Sequence, residues 1–122
     1  MFDGREPIYM QIAESIRGEI LSGALQAGDQ VMSTTQYATT YRINPATAAK
    51  AFAELVDEGI LFKQRGIGMF VTDNAPEQLR ARRRAAFFSE RFGPVLDEAA
   101  VLGITPTDLI GYIHQHCEGT ER

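Results

Sequence analysis

Ser33-Thr34-Thr35-Gln36-Tyr37-Ala38-Thr39-Thr40-Tyr41-Arg42-Ile43-Asn44-Pro45-Ala46-Thr47-Ala48-Ala49-Lys50-Ala51-Phe52, followed by Leu61-Phe62-Lys63-Gln64-Arg65-Gly66-Ile67-Gly68-Met69-Phe70-Val71, decides the fold. Ser33 with Gln36 is a capping box, in which each residue satisfies the other's exposed backbone N–H at a helix start. A helix over about 34–41 follows. Asn44-Pro45 then starts a second helix, with an amide cap and a proline whose missing N–H costs nothing at the first position. Glu58-Gly59 stops it, since Gly59 can take the left-handed conformation. The basic stretch behind it predicts a hairpin over about 61–73 that turns at Gly66-Ile67-Gly68. Two helices joined by a few residues form the helix-turn-helix arrangement that fits a DNA major groove, and the hairpin makes it winged.

Outward from that stretch, residues 8–22 read as a helix opened by Pro7 and closed by Gly23. Ile8, Ile12, Ile16 and Ile20, joined by Ala13 and Leu21, form its apolar stripe. A turn through Gly28-Asp29 leads to a short extended piece at Gln30-Val31. In the helix over 45–58, Ala48, Ala51, Phe52, Leu55 and Val56 are the expected buried face. Asn44, Ala46, Thr47 and Lys50 lie at its exposed start and side.

Asp73-Asn74-Ala75-Pro76 reads as a domain boundary, giving a winged helix-turn-helix domain over 1–74 and a helical tail over 75–122. The predicted fold class is mainly α (α+β). In the tail Ala81, Ala85, Phe88, Phe92, Val95, Ala99 and Leu102 follow heptad spacing. Gly93-Pro94 should kink or split that helix. Thr105-Pro106-Thr107-Asp108 opens a last helix with Leu109, Ile110, Ile113 and Cys117 on its apolar face. A two-helix tail has little core of its own, so the stripe calls for a second copy, and those seven residues with Leu109 and Ile113 are the expected dimerisation face.

The chain has 122 residues and a formal net charge of −4, with pI near 5.1. DNA-binding domains often have pI above about 9. Contact affinity, however, follows the local potential, which is felt over about 8–10 Å. Between Thr34 and Phe52 stand Arg42 and Lys50 and no acid, and the hairpin adds Lys63 and Arg65. The one cysteine, Cys117, excludes an internal disulfide. No apolar run approaches the roughly 18 residues of a membrane span. Met1 to Pro7 lacks a signal-peptide pattern, so the expected location is the cytoplasm.

Catalysis finds no support: there are two histidines, no paired carboxylates in a plausible cleft and no nucleophile with a base. His114 and His116 point about 200° apart on a helix. The pair His114 and Cys117 falls short of a structural zinc site. No metal or cofactor is expected. Arg80, Arg82, Arg83 and Arg84 read as a solvated helix face. Gly66-Ile67-Gly68 does not open a helix within a βαβ unit and is no nucleotide loop.

Pro7-Ile8-Tyr9-Met10-Gln11-Ile12, Ile20-Leu21-Ser22-Gly23, Ala27-Gly28-Asp29, Ser33, Ala38, the Asn44-to-Phe52 segment, Glu54-Leu55, Glu58-Gly59 and Arg65 to Val71 together resemble GntR-type bacterial transcription regulators over about residues 6–72. The short tail and the Ile43-Asn44-Pro45 turn resemble the YtrA subfamily. The resemblance implies a homodimeric DNA-binding repressor or activator on a palindromic operator of double-stranded DNA. Its second helix would enter the major groove, and its wing would lie on the minor groove or backbone. Many relatives carry arginine where this chain has Thr35, Pro45 and Ala49, so base readout here rests on Thr34, Thr35, Asn44, Ala46, Thr47 and Lys50. Asn44 can pair with adenine if the cap leaves it free. The expected contact set is completed by Tyr9, Ser33, Gln36, Pro45, Lys63, Arg65, Gly66, Ile67 and Gly68. A small-molecule effector is expected between subunits or at the linker around 73–78. The alternative reading is a winged-helix protein-interaction module that never touches DNA.

Overall fold

The computed structural model describes Gly4 and residues 6–120. The leader reading at Met1-Phe2-Asp3 and Arg5 lies outside the described residues, as do the last two. The first helix, α1 (Ile8–Ser22), closes at Gly23 in the left-handed region. Ile12, Ala13, Ile16 and Ile20 are buried, whereas Ile8 is 43% exposed, so the stripe engages the core one turn later than its spacing predicts. A two-residue strand β1 (Gln30–Val31) follows. Next come α2 (Thr34–Tyr41) and α3 (Pro45–Asp57). The hairpin strands are β2 (Leu61–Gln64) and β3 (Gly68–Val71).

The sheet order is β1-β3-β2, antiparallel throughout. Gln30 pairs with Phe70, and Leu61 with Val71. Phe52, Ile12, Leu55, Ile60, Leu61, Leu79 and Val71 are the largest fully buried side chains. Each such burial stabilises by about 1.5–3 kcal/mol. Val56 departs from the expected buried face: it is 37% exposed and borders a groove with Ala53 and Met69 instead. A mainly helical winged helix-turn-helix with a small sheet is thus the fold, as the sequence predicts.

The sequence places the division of the chain after Asn74. Cα proximity divides it after Ala81 instead. The cause is α4 (Ala75–Ala86): Ala75 and Leu79 are buried with the core of the first unit, and Gln78 Nε2 donates to the Glu58 carbonyl at 3.1 Å. Residues 75–78 are therefore packed helix, not a loose linker. Beyond Ala81 the second unit continues through a π-helical segment, Phe87–Phe92, then α5 (Gly93–Val101) and α6 (Pro106–Thr120).

The interruption expected at Gly93-Pro94 takes this π form. The Pro94 ring would clash with the carbonyl four residues back, and the Gly93 N–H donates instead to the Phe88 carbonyl, five residues back. The wider turn breaks the heptad phase. Ala99 is the buried residue of the described second unit, while Phe88, Val95 and Leu102 are 58%, 52% and 66% exposed. Thr105 and Asp108 cap α6 reciprocally, each backbone N–H donating to the other's side-chain oxygen at 3.1 Å.

Candidate nucleic-acid interface

The start of α2 is fixed by its capping box. Ser33 Oγ accepts from the Gln36 N–H at 3.0 Å, and Gln36 Oε1 accepts from the Ser33 N–H at 3.1 Å. Arg42 then closes α2 with φ 54, a left-handed conformation in a residue other than glycine. This turn lets the chain enter α3 within two residues. Asn44 Oδ1 accepts from the Ala46 N–H at 2.8 Å. The condition set for adenine pairing is therefore unmet: the oxygen that a bidentate contact needs is engaged in the cap.

Ser33, Thr35, Gln36, Asn44, Pro45, Ala46 and Lys50 are exposed, and Thr34 and Thr47 are half-buried. The ammonium of Lys50 lies 4.1 Å from the centroid of the Tyr9 ring. This cation–π contact brings two expected contact residues together, and neither periodicity nor motif spacing signals it. Tyr9 is half-buried against the core.

The acids of α3 gather at its other end. Arg17 Nε donates to Glu58 Oε1 at 3.1 Å, and Arg17 Nη2 donates to Glu58 Oε2 at 2.5 Å. Glu14 and Glu54 stand 3.3 and 3.6 Å from the same guanidinium. Burial pulls the Arg17 pKa down, but the hydrogen bonds and charges of Glu58 and Glu14 outweigh it, and the net shift is upward. Fourteen residues of helix rise separate Asn44 from Glu58, about 21 Å at 1.5 Å per residue. That exceeds twice the roughly 8 Å screening length, so the first turn of α3 lies beyond the reach of Glu58, whereas Glu54 stands four residues, about 6 Å of rise, from Lys50.

Lys63, Arg65, Gly66 and Ile67 are exposed on the wing, and Gly68 is half-buried. Gly66 has φ +78 and Gly68 has φ +150. Gln30 Nε2 donates to the Ile67 carbonyl at 3.1 Å, and a Cβ on Gly68 would stand 2.5 Å from the same amide nitrogen. Sequence reading missed this brace, because only the β1–β3 register brings Gln30 beside the tip. Between α3 and the wing lies a groove of about 550 Å³ lined by Ser33, Thr34, Ala49, Val56, Lys63 and Met69 among others.

Among the described residues no group of three or more His, Cys, Asp or Glu is placed to hold a metal ion, and no helix is long and apolar enough to cross a membrane. His116 stacks on Tyr112 with ring centroids 6.1 Å apart, and Cys117 is exposed.

A family model for bacterial regulatory proteins, gntR family, matches residues 8–71. The HTH-type transcriptional repressor YtrA of Bacillus subtilis (strain 168) is 32% identical over 98 residues, covering 80% of this chain and 75% of that protein. A GntR family transcriptional regulator from Listeria monocytogenes has a solved structure that matches with TM-score 0.72 and 34% identity, over 93% of this chain and 98% of that one. AraR(DBD), solved in complex with operator ORX1, matches with TM-score 0.55 and 26% identity, over 59% of this chain and 93% of that one.

Proposed function

The chain belongs to the GntR family of bacterial regulatory proteins, DNA-binding regulators of transcription rather than enzymes, and from that premise we propose that it is a cytoplasmic homodimeric repressor acting on a palindromic operator. Each copy sets the start of α3, from Asn44 through Lys50, in a major groove. The wing, from Lys63 to Gly68, lies alongside on the minor groove or backbone, and Ser33 to Gln36 meets phosphate. The observation that carries this reading is the separation of charge along α3: an exposed, acid-free start, with Glu54 and Glu58 held by Arg17 at the far end.

Pairing of two copies is supported by the second unit, where Phe88, Val95, Leu102 and Ile113 are about half or more exposed. This much exposed large apolar side chain in one small unit calls for a covering partner. A two-fold dimer reads a two-fold operator, with half-site centres about 34–36 Å apart. Repression follows the likeness to YtrA, named a transcriptional repressor.

The test is selection of bound duplexes from a random library by the full chain, with its mass in solution measured by sedimentation. The expected result is a dimer enriching inverted repeats. Lys50→Ala and Arg65→Ala should each weaken binding to the enriched duplex about 10-fold or more, Arg65→Ala with thermal stability unchanged and Lys50→Ala with a loss of only about 0.5–1 kcal/mol from the Tyr9 contact. A monomer, or a chain that enriches no duplex, would overturn the proposal and leave a protein-interaction module as the reading.

A further inference from the structure

Resting on the reading that the wing lies on DNA, we propose that Ile67 is an apolar wedge that reads minor-groove shape, and that Gln30 is the residue positioning it. Ile67 stands at the wing tip, 58% exposed. Its backbone is already satisfied from within the protein: its N–H donates to the Gln64 carbonyl at 2.9 Å, and its carbonyl accepts from Gln30 Nε2 at 3.1 Å. What the side chain of residue 67 offers to a groove is aliphatic surface and no hydrogen-bonding group, with the N–H spent and one of the two carbonyl lone pairs taken by Gln30.

Single exposed aliphatics are ordinary on protein surfaces. This one differs in being locked. Gly66 and Gly68 hold the turn with positive φ, and the absent Cβ of Gly68 makes room for the bracing amide. A β-branched side chain also loses little rotamer freedom on contact. A group without donors or acceptors cannot read base edges by hydrogen bonding. It can sense the bulk of the guanine 2-amino group, which separates G·C from A·T in the minor groove, and it can wedge at deformable steps. Lys63 and Arg65 on the same hairpin supply phosphate attraction that carries no sequence information. The preferred partner of the wing is thus minor groove lacking the 2-amino group.

The test uses the full chain and the duplex it selects from a random library, with the wing-facing steps located by footprinting. At those steps A·T pairs are replaced by inosine·C, which lacks the 2-amino group, or by G·C, which has it. The wild-type chain should bind the G·C duplex about 10-fold more weakly than the inosine·C duplex. Ile67→Ala should bring that ratio to about one, and so should Gln30→Met, which keeps the length and removes the donor without adding a charge, with both chains still folded by circular dichroism. Ile67→Lys should raise affinity through an added cation while still erasing the ratio. If the wild type does not discriminate, or Ile67→Ala discriminates as well as wild type, the wedge is wrong and the regulator reading stands. A chain that selects no duplex overturns both.

Discussion

Arg42 holds φ 54 at the end of α2, where its N–H reaches the carbonyls of Ala38 and Thr39. The left-handed conformation costs a residue with a Cβ about 1–2 kcal/mol, and glycine escapes most of that cost. Arg42→Gly should therefore raise stability by about 0.5–1 kcal/mol net of glycine's extra chain entropy, read as an increase in the midpoint of chemical unfolding. Arg42→Ala keeps the strain and should show no such gain. Tyr37, 7% exposed, has its pKa raised to about 12, first by burial and then by the charges of Tyr41 and Glu19, against an opposing hydrogen bond with Ser15. A phenol whose folded pKa lies above its unfolded value of about 10 stabilises the fold fully below pH 10, and that contribution is lost as pH climbs towards 12. Alkaline unfolding followed by circular dichroism should show a decline of about 2–3 kcal/mol across this window. Tyr37→Phe should remove that part of the decline; an unchanged profile in the variant would contradict the assignment.

At the scale of elements, the wing and the π segment make separate predictions. Gly68 has φ +150, and a Cβ there would press on the Gln30 amide. Gly68→Ala should cost about 1–3 kcal/mol. Adding Gln30→Ala should recover only the collision and leave the backbone strain, a difference measurable in a double-mutant cycle. In the tail, Pro94→Ala restores an N–H and removes the ring clash, so residues 87–92 should return to α geometry, seen as a protected amide at position 94 donating to the Glu90 carbonyl in hydrogen exchange. Losing the extra residue of the π turn rotates the α5 helix by about 100°, which should weaken self-association. Helices α1, α2 and α3, both caps and the hairpin are legible from sequence because each is set locally, by caps, by proline and glycine positions and by an apolar period of 3.6. The features that sequence does not disclose depend on through-space neighbours. The Lys50–Tyr9 contact joins α3 to α1, and the Gln30 brace exists only in the β1–β3 register. Ala75 and Leu79 are buried because α4 continues onto the first unit. Heptad counting places Phe88 on one stripe with Val95 because it assumes α geometry, which the segment before Pro94 does not keep.

For the whole molecule, the formal net charge of −4 and a proposed hold on a polyanion meet in a measurable quantity, the salt dependence of binding. The cations available to DNA on each copy are few. Lys63 and Arg65 stand exposed on the wing and Arg42 on the turn, while the Lys50 ammonium sits over the Tyr9 ring and gives up part of its reach to that contact. Two to three phosphate contacts per copy give about 4–6 for a dimer, and each contributes about −0.9 to the slope of log K against log salt, so the slope should be about −4 to −5. The acids do not steepen it, since counterion release follows phosphates neutralised rather than net protein charge, but they lower non-specific binding by repelling DNA from the remaining surface. Affinity for the selected operator should thus fall about 250- to 1,000-fold for a four-fold rise in salt, and Arg65→Ala should flatten the slope by about two units, one per copy of a dimer. Fluorescence anisotropy across a salt series measures both. A slope of about −9 or steeper would show that many more cations reach phosphate than the described face presents, with the arginines at 82–84 the first place to look for them.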